Sequence, residues 1–129
     1  MKKHEPMTIC YLSLKNTLPG TPDRRSDAFE HDQMMDCLRP ALAAHGLTFE
    51  AAVWDDPDKD WLRDDLVVIG TSWDYWDQLE NFLATLEQIA LASPIFNHPA
   101  LLRWNLHKQY LCELAEKISR QFQLIGLIR

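Results

Sequence analysis

The sequence Leu66-Val-Val-Ile-Gly-Thr-Ser-Trp-Asp-Tyr-Trp-Asp77 decides the fold class. Its first four residues form a continuous apolar run, which is typical of a parallel strand buried on both faces. Gly70 interrupts this run, as expected where the chain turns or where another group comes close to the backbone. From Gln78 onward, apolar residues recur at helical spacing. A buried strand, a turn and a helix in this order predict an α/β fold.

The rest of the chain repeats this alternation. Apolar stretches predict three further strands, at 7–14, 47–54 and 94–96. Helical patterns predict helices at 26–46, 78–91, 99–103 and 106–118. Because strands that alternate with helices pair in parallel through right-handed crossovers, we predict a small Rossmann-like, three-layer α/β domain. Its sheet is expected to be mainly parallel, with about four strands.

Local signals refine the helices. Ser26 is expected to be the N-cap of the first helix, and Gly46 is expected to end it. Pro40 lies inside that helix and is expected to kink or split it. His31 is expected to be exposed. Asn105 is expected to cap the last helix.

Polar and aromatic side chains follow the third strand. In open α/β sheets, ligands bind outside the carboxyl ends of the strands. The candidate substrate-binding residues are therefore Thr71, Ser72, Trp73, Asp74 and Tyr75. The same residues allow structural interpretations: the aromatic rings can pack in the core, and Asp74 can cap the following helix.

Charge and composition exclude several classes of protein. Residues 26–97 carry three basic and fifteen acidic side chains, which would repel a phosphate backbone, so we expect no nucleic-acid partner. No apolar run approaches the roughly 20 residues of a membrane span, so no membrane association is expected. The 3 cysteines are widely spaced, which argues against a disulfide framework and for a cytoplasmic protein.

Chemistry-bearing motifs are sparse. Asp55, Asp56 and Asp58 follow the second strand, but we interpret them as a solvated turn, and we predict no metal site. No spacing of a nucleophile and a base is found, so no catalytic residue is predicted.

Several segments resemble a known family. They are Val53-Trp-Asp-Asp-Pro57, Ser72-Trp-Asp-Tyr75, Asn97-His-Pro-Ala-Leu-Leu-Arg-Trp-Asn105 and Lys108-Gln-Tyr-Leu111. Together they resemble the opening of bacterial ATP-grasp proteins related to glutathione synthetase and to carboxylate–amine ligases. This resemblance implies a Rossmann-like pre-ATP-grasp domain over residues 1–104. It implies that residues 105–129 are a remnant of the entry to an ATP-grasp domain.

The resemblance also implies a function and a cofactor. Full-length members use Mg-ATP, and Lys108 corresponds to a lysine that reaches ATP phosphates, although His107 stands where the family has an acidic residue. After Leu114 the sequence departs from the family, so we expect a chain truncated before the ATP-grasp domain, with no cofactor of its own. The expected function is a stand-alone substrate-side module that is not catalytic alone. The alternative is a binding or regulatory subunit that completes a site with a separate ATP-grasp chain.

The end of the chain predicts a partner. Phe122, Leu124, Ile125, Leu127 and Ile128 are too apolar to remain in water. An ATP-grasp domain normally also covers one side of this kind of module. We therefore expect a homo-oligomer, or association with a separate ATP-grasp chain through the exposed apolar face and tail.

Overall fold

The computed structural model describes residues 5–106 and 108–126, so His107, Leu127 and Ile128 lie outside the described residues. The chain forms two compact units, Met1–His98 and Pro99–Arg129. Within the described residues, no helix combines the length and the apolar character that crossing a membrane requires.

The first unit is built on a four-stranded parallel sheet. Its strands are β1 (Met7–Ser13), β2 (Leu47–Val53), β3 (Leu66–Ile69) and β4 (Ile95–Phe96), in the order β2-β1-β3-β4. All three strand pairs are parallel. Tyr11 lies opposite both Ala51 of β2 and Val68 of β3. The predicted Rossmann-like α/β fold with about four parallel strands is confirmed.

Two long helices belong to this sheet, α1 (Phe29–Ala43) and α2 (Leu79–Ala92). The crossover containing α1 runs from β1 to β2, and the crossover containing α2 runs from β3 to β4 in the opposite direction. Because such crossovers are right-handed, the two helices lie on opposite faces of the sheet. Short 3-10 helices occupy Lys15–Thr17, Trp61–Arg63 and Tyr75–Gln78.

Side-chain alternation along β1 divides the core between the two faces. Tyr11 packs with Met35 of α1 and Phe49 of β2. Cys10 and Leu12 point to the other face, where they are also buried. Burial, with a contribution from nearby Asp64, raises the pKa of the Cys10 thiol to about 12. Cys10 therefore stays protonated and acts as a small apolar core residue.

Two predictions about α1 are wrong, and the predicted split at Pro40 is not found. Ser26 is not the N-cap, because the amide of Ala28 bonds to the carbonyl of Arg25 in a turn, and the helix begins only at Phe29. Pro40 does not split the helix, since it lies in the last turn, where few backbone bonds depend on it. His31 is buried, with 1% of its surface exposed.

The second unit contains α3 (Pro99–Asn105) and α4 (Gln109–Leu124). The indole of Trp104 joins the two helices, because it donates to Glu113 Oε2 at 2.8 Å and its ring lies 5.2 Å from that of Tyr110. Asn105 does not cap α4, since it ends α3 and the N-cap is Lys108. Exposed apolar side chains lie at helical spacing along α4: Leu111, Leu114, Ile118 and Phe122.

Candidate functional site

The candidate site lies where the strand order reverses. From β1 the chain first moves outward to β2 and then returns to form β3 on the other side of β1. The loop after β1 (residues 14–28) and the loop after β3 (residues 70–74) therefore leave neighbouring strands at the same edge. The amide of Leu14 donates to the carbonyl of Thr71 at 2.9 Å and joins the two loops. A crevice at such a switch point is where α/β sheets bind ligands.

Gly70 opens the second loop, and its missing side chain makes room for a neighbour within the protein. A Cβ atom at this position would overlap the ring carbons of Tyr11. The close approach predicted at Gly70 is thus made by a core side chain. Burial also raises the pKa of the Tyr11 phenol, so the ring stays uncharged.

The first two candidate residues are buried and bonded within the fold. The hydroxyl of Thr71 lies 2.7 Å from Nδ1 of His31 on α1. The hydroxyl of Ser72 donates to the carbonyl of Leu12 in β1 at 3.1 Å. These two contacts fix the loop to α1 and to the central strand β1.

A positively charged side chain, that of Arg25, lies over the ring of Trp73. The guanidinium carbon of Arg25 lies 5.4 Å from the centre of the Trp73 ring. Two parallel bonds of 2.8 Å to the Asp27 carboxylate hold the same guanidinium. These bonds raise the pKa of Arg25 and lower that of Asp27, so both groups are charged at neutral pH. A guanidinium at this distance from an indole ring makes a favourable cation–π contact.

Asp74 is oriented by neutral donors. Its Oδ1 accepts a bond of 2.9 Å from the indole Nε1 of Trp54, and its Oδ2 accepts a longer one of 3.4 Å from Gln78. The carboxylate makes no capping bond to the following 3-10 helix. Asp74 is therefore neither a helix cap nor a freely solvated side chain. Its half-buried carboxylate lies at the crevice.

Tyr75, the last candidate in this segment, packs on the core. Its ring lies 5.6 Å from Phe82, and Phe82 in turn meets Trp54 edge-on at 5.1 Å. Trp76 beside it is 70% exposed. Tyr75 thus packs on the core, whereas Trp76 faces solvent.

A groove of about 510 Å³ lies between α1 and the loop after β3. Tyr11 and Thr71 are among its buried lining residues, while Phe29 at its entrance is 55% exposed. The full lining is Tyr11, Phe29, Glu30, Gln33, Met34, Cys37, Gly70, Thr71 and Trp73. Its size suits a small molecule, and its walls combine aromatic surface with a few polar groups.

Asp55 and Asp56, which follow β2, line a separate groove of about 380 Å³ together with Lys15, Val53 and Pro57. Asp56 caps its own turn, because its Oδ1 accepts from the amide of Asp58 at 2.9 Å. Across residues 5–106 and 108–126, no three His, Cys, Asp or Glu side chains come together as metal ligands would. Lys108, the candidate phosphate contact, belongs to the second unit, where it is exposed at the N-terminal end of α4.

Comparison with known proteins assigns this domain to a family. Residues 9–97 match the N-terminal domain of the D-cycloserine synthetase DcsG. The chain belongs to this family. The cycloserine biosynthesis protein DcsG of Streptomyces lavendulae is 33% identical over 84 residues, which make up 65% of this chain and 28% of that protein.

The crystal structure of D-cycloserine synthetase DcsG has the same fold, with a TM-score of 0.69 and 28% identity. The match covers 84% of this chain and 33% of that chain. The present chain thus spans about a third or less of the length of the DcsG relatives it matches. What the comparison shows is an N-terminal module of a ligase-like enzyme family.

Sequence reasoning missed two residues of this crevice, His31 and Trp54. Each is distant in sequence from the loop that it contacts, and only the strand order brings them together. A signal existed for Trp54, because a tryptophan directly after a strand lies at the same edge as the other strand ends. For His31, no pattern in α1 distinguishes a buried histidine from an exposed one.

Proposed function

We propose that this chain is the substrate-side module of an ATP-dependent ligase of the ATP-grasp type. The switch-point crevice carries the proposal, because the loop after β3 is bonded to β1, to α1 and to the residue after β2. A loop held from three sides presents its outer side chains in a fixed geometry. Such preorganisation is what a substrate-binding surface requires.

The ligand class follows from the charges around Trp73. Asp27 holds the Arg25 guanidinium through Nε and Nη2, so its Nη1 side suits a ligand carboxylate. Asp74 next to Trp73 suits an ammonium group. We therefore propose a small zwitterion related to an amino acid as the ligand. In this proposal Trp73 and Asp74 contact the ligand, while Thr71, Ser72 and Tyr75 hold the loop. The family name refers to D-cycloserine, a cyclic amino acid derivative that carries an ammonium group and an acidic ring in place of the free carboxylate.

The ATP-grasp part of the proposal is supported by the segments from Asn97 to Asn105 and from Lys108 to Leu111. Lys108 lies at the N-terminal end of α4, whose first turn carries no acidic residue, so a phosphate would fit there. In this proposal Lys108 contacts a phosphate, whereas the described residues contain no cluster of magnesium ligands. We propose that Mg-ATP is held by an ATP-grasp domain and that the module alone is not catalytic.

Isothermal titration of the chain with D-cycloserine, and separately with Mg-ATP, tests this function. We expect D-cycloserine to bind and Mg-ATP not to bind. Asp74→Asn should weaken D-cycloserine binding by about tenfold or more, since a charge-assisted bond is lost. Asp77→Asn is the matched control, because Asp77 is exposed three residues away, and it should leave binding unchanged. Equal effects of the two variants would disprove the assigned site. Mg-ATP binding at micromolar affinity would show that the chain assembles a nucleotide site.

The second candidate function is a subunit that completes a site with a separate ATP-grasp chain. The exposed apolar side chains of α4 favour it, because such a stripe is usually covered in the functional assembly. Light scattering should give a mass above that of one chain, either alone or after mixing with an ATP-grasp protein. Ile118→Glu, on the exposed stripe, should return the mass to that of one chain. A single-chain mass under all of these conditions would exclude this candidate.

A further inference from the structure

Two consecutive residues of α1, His31 and Asp32, contact the two loops that form the crevice. His31 Nδ1 lies 2.7 Å from the hydroxyl of Thr71 in the loop after β3. Asp32 accepts a bond of 2.6 Å from Arg24, whose guanidinium also donates to the carbonyls of Thr17 and Leu18 in the loop after β1. The first turns of α1 therefore set the position of both walls of the crevice.

The two contacts differ in their exposure. The Arg24–Asp32 ion pair is partly exposed, with side-chain exposures of 30% and 39%, so water screens it. His31 is almost fully buried, and its ring centre lies 6.0 Å from that of Tyr11. A bond between a buried imidazole and a buried hydroxyl is costly to break, because both groups would lose their partner away from water. The His31–Thr71 contact is thus the stronger determinant of loop position.

Charged and titratable groups surround His31 on several elements. Asp32, Asp36 and Arg39 belong to α1 itself, and Asp36 lines the same groove as His31. Arg24 comes from the loop after β1, and Tyr11 comes from β1. The loop after β3 contributes Thr71, which does not titrate. Burial is the main reason why the pKa of His31 lies below its usual value; Asp32 opposes this effect, and the two arginines add to it.

We propose that His31 is a positioning residue whose neutral ring holds Thr71, and with it the loop after β3, in the ligand-binding conformation, and whose protonation releases that loop. The inference rests on the ligand-binding role proposed above for this loop. A protonated imidazole carries two N–H donors and a charge that the apolar side of Tyr11 cannot solvate. The ring must then turn toward water, and Thr71 loses its partner.

The test is hydrogen exchange of the backbone amides of residues 70–74, measured by NMR or mass spectrometry from about pH 7.5 to about pH 4.5. Protein concentrations stay micromolar, because the pI of about 5.2 falls in this range. After correction for intrinsic exchange rates, protection of the loop should fall about five- to tenfold on acidification, as expected for one lost buried hydrogen bond. Protection of α2 should stay constant, which separates release of the loop from global unfolding.

Two variants make the test specific. In His31→Asn the amide reaches the position of Nδ1 without titrating, so loop protection should become independent of pH. In Thr71→Val the hydroxyl is lost, so protection should be low at every pH. A pH response in His31→Asn equal to that of the wild type would overturn the inference. So would unchanged protection in Thr71→Val.

The outcome separates this inference from the proposed function. Hydrogen exchange needs no ligand, whereas the titration with D-cycloserine does. If the loop responds to pH through His31 but D-cycloserine does not bind, the positioning role stands and the ligand assignment fails. If D-cycloserine binds and His31→Asn changes neither its affinity nor the pH dependence of that affinity, the positioning role fails alone.

Discussion

Trp54 and Asp74 are joined by a bond of 2.9 Å from the indole nitrogen to the carboxylate, and this bond connects the residue after β2 with the loop after β3. The backbone amide of Trp54 also donates to the carbonyl of Ser13 at the end of β1. Trp54 therefore links the ends of β1 and β2 to the loop after β3, and its side chain is fully buried. Trp54 thus both stabilises the sheet and orients the carboxylate of Asp74, which is proposed to bind the ligand.

Trp54→Phe should lower the free energy of unfolding by about 1–3 kcal/mol, because it leaves a cavity against Phe82 and removes the donor to Asp74. Urea denaturation followed by circular dichroism measures this loss. Trp76→Phe is the control, since Trp76 is largely exposed, and it should change stability by less than about 0.5 kcal/mol. Similar losses for both variants would contradict the assigned role of Trp54.

Gly70→Ala should be destabilising by about 1–3 kcal/mol, since the new methyl group overlaps the Tyr11 ring and the core resists overpacking. Tyr11→Leu removes the ring atoms that would clash. The same Gly70→Ala change should therefore cost clearly less in a Tyr11→Leu background, and a double-mutant cycle from urea denaturation gives the difference. An additive result would contradict the contact between Gly70 and the Tyr11 ring as the cause of the loss.

The fold could be predicted from sequence because its signals are local. The apolar run from Leu66 to Ile69 and the stripe after Gln78 each depend on neighbouring residues alone, and β3 has the predicted bounds. Helix ends were less predictable. Ser26 is a good N-cap by type, yet a turn formed by Arg25 and Ala28 starts the helix later.

The candidate site could be predicted only in part. The loop of residues 71–75 follows from the end of a buried strand, but its partners do not follow from any spacing. His31 is 40 residues from Thr71, and Trp54 is 20 residues from Asp74. Such pairs form because β1 lies between β2 and β3, and the sequence pattern leaves strand order open. The roles assigned to Lys108 and to the loop residues remain predictions.

The three cysteines should differ sharply in reactivity. Cys10 is buried and its pKa is raised to about 12, so almost no thiolate is present at neutral pH. Cys37 and Cys112 are exposed. Titration of the native chain with a disulfide reagent such as Ellman's reagent should show two fast thiols, and the third should react only after denaturation. Cys10→Ala should leave the fast phase unchanged, and a fast phase of three thiols in the native wild-type chain would contradict the burial of Cys10.

Stability should fall on mild acidification because of His31. The unfolded chain binds this proton near pH 6.5, whereas the folded pKa is lower because the ring is buried. Below about pH 6.5 the unfolded state therefore binds more protons than the folded state. The contribution of neutral His31 to stability is complete above that pH, and it is lost as the pH drops through the folded pKa. His31 changes the free energy of unfolding with pH by at most about 1.4 kcal/mol per pH unit.

Urea denaturation between about pH 7.5 and about pH 5 isolates this effect, since Asp27 and Asp32 lose their contributions only below about pH 4. The pKa values of these two carboxylates are lowered by their bonds to Arg25 and Arg24. They are therefore protonated only at a lower pH than an ordinary aspartate. His31→Asn should remove the slope in this window. His45→Asn is the control, because His45 is exposed after the end of α1, and it should keep the slope. A slope that persists in His31→Asn would show that another group binds the proton, and it would remove the physical basis for release of the loop after β3.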